Sequence, residues 1–138
     1  MYCVFFGHRN TPESIRPVLK ETLINLIKSG ITFFYVGHQG NFDKMVREEL
    51  QCLKTCYPKI EYYIVLAYPE HDFDTESTIY PEGLESVPRR FAVDKRNRWM
   101  VSKADTAVVY IIRPGGANKY TEMLLKQKKK IINLATKL

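Results

Sequence analysis

The chain has 138 residues, 45% hydrophobic and 26% charged, a balance that fits one globular domain over 1–138 and excludes disordered, collagen-like and low-complexity classes. Its 21 Lys and Arg against 15 Asp and Glu give a net charge of +6, which calls for an anionic partner without giving its size. No apolar stretch approaches the roughly 20 residues of a membrane span, no signal peptide is evident, and three cysteines (Cys3, Cys52, Cys56) cannot all pair, so a cytoplasmic protein with reduced thiols is expected.

In chain order, residues 2–6 form a short run of β-branched and aromatic residues, the pattern of a strand covered on both faces. Apolar residues from Ile15 to Ile27 recur at helical spacing and end at Ser29-Gly30, a glycine C-cap. A second strand is predicted over 31–36, a helix over 42–56, and a third strand over 60–66. Cys52 and Cys56 lie one turn apart on that helix and are read as buried or half-buried; without a second ligand pair they make no zinc site, and no metal is expected. Residues 67–88 then break the pattern, with three prolines, one glycine and six acids but no Lys or Arg, the character of either a functional lid or a mobile excursion. From 86 to 130 the sign reverses, with twelve Lys and Arg against three acids. This region holds a helix over 93–103, a strand over 106–112, a helix over 117–129 and a fifth strand over 130–134. Strands alternating with helices predict an α/β fold: a single Rossmann-like domain with a mostly parallel five-stranded sheet and helices on both faces. The exposed edge of such a sheet leaves a homo-oligomer open.

In an open parallel sheet, ligands bind beyond the carboxyl ends of the strands, where helix N-termini point outward. Three loops fall there. In the first, Gly7 permits a tight turn, Asn10 or Thr11 and Pro12 suit the start of the next helix, and Arg9 stands beside that helix's amides. In the second, Gly37-His38-Gln39-Gly40-Asn41 opens a helix in which Asp43 either orients a ligand hydroxyl or satisfies backbone amides. His8 and His38 end equivalent strands and are read as hydrogen-bonding loop residues. In the third, Gly115 and Gly116 let backbone amides approach a phosphate at a helix start, without the spacing of a Walker loop or dinucleotide fingerprint. Glu122, one turn in, faces the same mouth or complements the helix dipole. Arg96 and Asn97 introduce the helix that leads to this loop, while Trp99 and Met100 read as core.

In this order, Gly7-His8-Arg9, Gly40-Asn41-Phe42-Asp43, Arg96-Asn97-Arg98-Trp99-Met100-Val101 and Gly115-Gly116 resemble the motifs of YpsA-like members of the SLOG superfamily, which groups Smf/DprA proteins with LOG-type nucleoside-monophosphate phosphoribohydrolases. The resemblance implies a Rossmann-like fold and a nucleotide-derived ligand. Against the LOG pattern, Arg96 matches the arginine and Asn97 replaces the lysine of an Arg-Lys pair. Pro114, Gly115, Gly116 and Glu122 match the glycine-rich loop, and Asn118 and Lys119 replace its Gly-Thr.

The resulting expectation is a sensor or regulatory module that binds a phosphorylated nucleotide-like small molecule through Gly7, His8, Arg9, Gly37, Gly40, Asn41, Asp43, Arg96, Asn97, Gly115 and Gly116, without a further cofactor. The alternative is an N-glycosidic phosphoribohydrolase using Glu122 and Arg96 as catalytic residues. Nucleic acid is not the expected partner, because Trp99, the sole tryptophan, reads as buried and no basic tract alternates with exposed aromatics.

Overall fold

The computed structural model describes residues 1–69 and 77–137. Within them, six strands form one sheet: β1 (Tyr2–Gly7), β2 (Phe33–Val36), β3 (Glu61–Val65), β4 (Thr78–Ile79), β5 (Thr106–Tyr110) and β6 (Lys130–Asn133). Their spatial order is β4-β3-β2-β1-β5-β6, and every pair is parallel. The expected five-stranded sheet therefore has a sixth strand. β4 lies inside the acidic segment and escapes a periodicity reading because only two residues pair, Thr78 with Ile64 and Ile79 with Val65. Of that segment, the acids at 70–76 fall outside the described residues.

Four helices connect the strands: α1 (Arg16–Lys28), α2 (Gly40–Cys56), α3 (Ala92–Lys103) and α4 (Gly116–Lys126). Alternation along each strand sends side chains to two cores. Cys3, Phe5, Phe34 and Val36 meet Leu19 and Leu23 of α1 and Met45 and Leu50 of α2. On the other face Val4, Phe6, Tyr35 and Val109 meet Met100 of α3 and Tyr120 and Leu124 of α4. Helices thus cover both faces. Met100 is buried, and Trp99 is half-buried with its indole edge-on to Tyr35, ring centroids 5.2 Å apart.

Two local expectations are corrected. Cys52 and Cys56 are exposed free thiols, because the face of α2 that meets the sheet is carried by Phe42, Met45, Val46, Leu50 and Leu53. No side chain caps α1. Thr11 donates back to the His8 carbonyl, Asn10 accepts from Arg113, and a 3-10 turn at Glu13–Ile15 leads into the helix. No helix among the described residues is long and apolar enough to cross a membrane.

Candidate functional site

The strand order reverses at β1, whose neighbours β2 and β5 lead their chains away in opposite directions, and a crevice opens beyond such a point. A cleft of about 310 Å3 occupies it. Gly7, His8 and Arg9 supply one wall from the end of β1, and Gly37, Gln39 and Asp43 supply another from the start of α2. Arg96 and Asn97 of α3 and Gly116 of α4 close it. Eight of the residues singled out from sequence therefore meet at one cavity.

Gly40 and Asn41 support the wall from behind. The Asn41 amide donates to the Arg9 carbonyl at 2.8 Å, and a Cβ on Gly40 would lie 2.6 Å from Arg9 Cα, at a φ of 83° that favours glycine. Arg9 therefore stands by the start of α2, where its Nη2 donates to Gln39 Oε1 at 3.3 Å, and not by α1 as expected. Gly7 is required by packing, since a Cβ there would come within 2.3 Å of the Phe42 ring.

Gly115 and Glu122 do not line the cleft; Glu122 is exposed on α4. Gly116 begins α4, and a Cβ on it would meet nothing within 4 Å, so internal packing does not require a glycine there. Gln39 and Tyr120 are lining residues that the sequence reading missed. Tyr120 is fixed by stacking on Phe6 and by donating to Asp94 Oδ1 at 2.7 Å, contacts between elements far apart in the chain.

Arg96 forms the floor. It is only 2% exposed; Nη1 donates to the Val65 carbonyl at 2.8 Å and Nε to Asn97 Oδ1 at 2.7 Å. Burial lowers its pKa, while the Asp43 charge works to raise it. Asp43 mirrors this: burial raises its carboxyl, and Arg96 and the Gln39 amide, which donates to Oδ2 at 3.0 Å, oppose the shift. Gly37 lies between them. A Cβ there would be 2.7 Å from Asp43 Oδ2 and 2.8 Å from Arg96 Nη1, so the absent side chain leaves room for both charged groups. At the lip, Asp94 accepts from Arg98, Lys119 and Tyr120; desolvation opposes it, but these bonds hold its carboxyl well below the ordinary range.

The two loop histidines act as acceptors. Ile112 N–H donates to His8 Nε2 and Ala67 N–H to His38 Nε2, each at 3.0 Å. A bare Nε2 means a neutral ring with its proton on Nδ1. Burial, then the charges of Arg96 and Arg47, push the His38 pKa down to about 4; burial, then Arg113, lowers His8 as well. The rings bond to different strand ends, so they stitch loops together. Among the described residues no cluster of three or more His, Cys, Asp or Glu side chains is placed to hold a metal ion.

No family model matches the sequence, and no curated protein matches it. Among solved structures, the chain is similar to DNA processing protein A (DprA) from Helicobacter pylori, described for its single-stranded DNA binding mode. The match has a TM-score of 0.65 at 13% identity and covers 95% of this chain and 63% of that one, so this chain spans less than two thirds of its length. The likeness places the Rossmann-like fold alongside that of DprA. It also overturns the expectation of a small nucleotide-like ligand, with phosphoribohydrolase chemistry as its alternative, and the exclusion of nucleic acid, because the similar chain binds single-stranded DNA. The exclusion failed for a physical reason: it sought basic and aromatic residues alternating along one tract. The fold instead joins a basic and an aromatic residue from separate segments, with Arg89 over the ring of Tyr68.

Proposed function

We propose that this chain is a single-domain binding module for single-stranded nucleic acid, which seats backbone phosphate in the cleft at the strand-order reversal. The observation that supports this best is an exposed Arg9 and the glycine start of α4 lining one cleft, in a fold similar to that of a single-stranded-DNA-binding protein. The first backbone amides of a helix have no partner within it, and its dipole favours an anion there. With nothing within 4 Å of a Gly116 Cβ, a phosphate has room to approach those amides. In this reading Arg9 and Gly116 touch phosphate, and Arg113 adds charge at the rim. Gly7, Gly40 and Asn41 hold the Arg9 turn, while His8, Gly37, Asp43, Arg96 and Asn97 shape the floor. Glu122 has no part. The Arg96-to-Val101 run carries the finer reading of a YpsA-like SLOG member.

The test is fluorescence anisotropy with a labelled oligothymidine of about 20 nucleotides across a salt series. Binding is expected to weaken with salt by about 0.7 log units per log unit for each phosphate neutralised, and Arg9→Ala should reduce the slope by about one such contact. Absence of binding at low salt, or salt-independent binding, overturns the proposal.

A further inference from the structure

Beside the cleft lies an aromatic and cationic cluster that neither core uses. A 3-10 turn at Arg89–Phe91 leads directly into α3, whose Val93 lines the cleft. Phe91 is 49% exposed, and no other Phe, Tyr or Trp among the described residues is as open to solvent. The Arg90 guanidinium lies 4.7 Å from its ring centroid. Next to it, the Arg89 guanidinium lies 4.1 Å over the ring of Tyr68, whose hydroxyl donates to the Arg89 carbonyl at 3.3 Å. Tyr68 follows Ala67, whose amide is held by His38, the residue between the cleft-lining Gly37 and Gln39. No carboxylate among the described residues forms an ion pair with Arg89 or Arg90.

Exposing a phenyl ring forfeits the stabilisation it would gain on burial, and two exposed arginines on neighbouring rings add positive charge that no described ion pair offsets. Flat π surfaces interleaved with guanidinium planes suit an unpaired base, which presents a π face of its own beside an anionic backbone. We infer that Tyr68, Arg89, Arg90 and Phe91 form a base-stacking subsite for the strand whose phosphates occupy the cleft; this rests on the reading above. Phe91 supplies the platform. Arg89 and Arg90 steady the rings and meet the flanking phosphates. Bases within a duplex are already stacked on one another, so the subsite selects single strands, with little regard to sequence.

The test compares an oligothymidine of about 20 nucleotides with a strand of equal length and charge made of abasic sites, for the wild type, Phe91→Ala and Phe91→Trp. The wild type should prefer the base-bearing strand by about tenfold. Phe91→Ala should lose that preference while keeping the salt slope and the thermal midpoint, since the ring is already half in solvent, and Phe91→Trp should retain it. Equal affinity of the wild type for both strands, or an unchanged preference in Phe91→Ala, overturns the subsite and leaves phosphate seating standing. Binding of neither strand overturns the reading beneath it.

Discussion

Replacing His38 with glutamine tests the histidine stitching. The folded chain holds His38 neutral, with Nε2 accepting from Ala67 N–H and a pKa pushed from 6.5 to about 4. In the unfolded chain the ring takes up a proton near 6.5, so below that pH the unfolded state binds the proton that the fold refuses. Stability is therefore fully present above about pH 6.5 and is lost as the pH falls toward about 4. At 1.36 kcal/mol per unit, this difference is worth at most about 3 kcal/mol, and about 2 kcal/mol after discounting for the ring's partial exposure. His8, also lowered, acts in the same direction. Asp43, whose pKa is raised, acts in the opposite one, because the fold protonates it before the unfolded chain does. Gln Oε1 can still accept from Ala67 N–H but does not titrate. Urea unfolding, followed by the fluorescence of Trp99, should show the wild type losing about 2 kcal/mol more than His38→Gln between about pH 7.5 and about pH 4.5. Parallel pH profiles for the two proteins would refute the assignment of His38 as a neutral acceptor.

Gly7→Ala should destabilise the fold by about 1–3 kcal/mol, because the new methyl group overlaps the Phe42 ring in the core; a thermal midpoint equal to the wild type's contradicts the packing at that turn. Gly116→Ala should do the reverse to the fold, leaving stability unchanged or raised by up to about 1 kcal/mol at a helix start with open space, while weakening oligothymidine binding. Undiminished binding by that variant argues against phosphate at the α4 amides.

The major architecture was legible because its strands are short, doubly covered runs whose composition alone marks them, as in Thr106–Tyr110, where all five residues are buried. β4 was not, since two residues carry no period and pair through backbone alone. The location of the cleft followed from topology, and glycine-rich strand ends marked most of its walls. Arg96 and Asp43 were legible as polar residues near those ends. That they flank Gly37 was not, because it depends on how far two helices approach one loop. Tyr120, Tyr68 and the Arg89–Phe91 turn carried no motif, and their placement follows from contacts across many residues of chain. On the proposed reading, the net charge of +6 and the exposed Arg9 of the cleft serve a polyanion in place of one phosphorylated molecule.

The hydrogen bonds at the carboxyl edge of the sheet form an unbroken sequence. Asn133 brackets the Ile111 backbone, Ile112 donates to His8, Asn41 donates to Arg9, and Ala67 donates to His38. Loops following five adjacent strands are thereby laced into one belt around the cleft. On the proposed reading, an incoming strand meets a rim already ordered by the protein, so little of its binding energy is spent on freezing the receptor. The same lacing makes the rim mechanically continuous: loosening one stitch changes the freedom of loops several strands away.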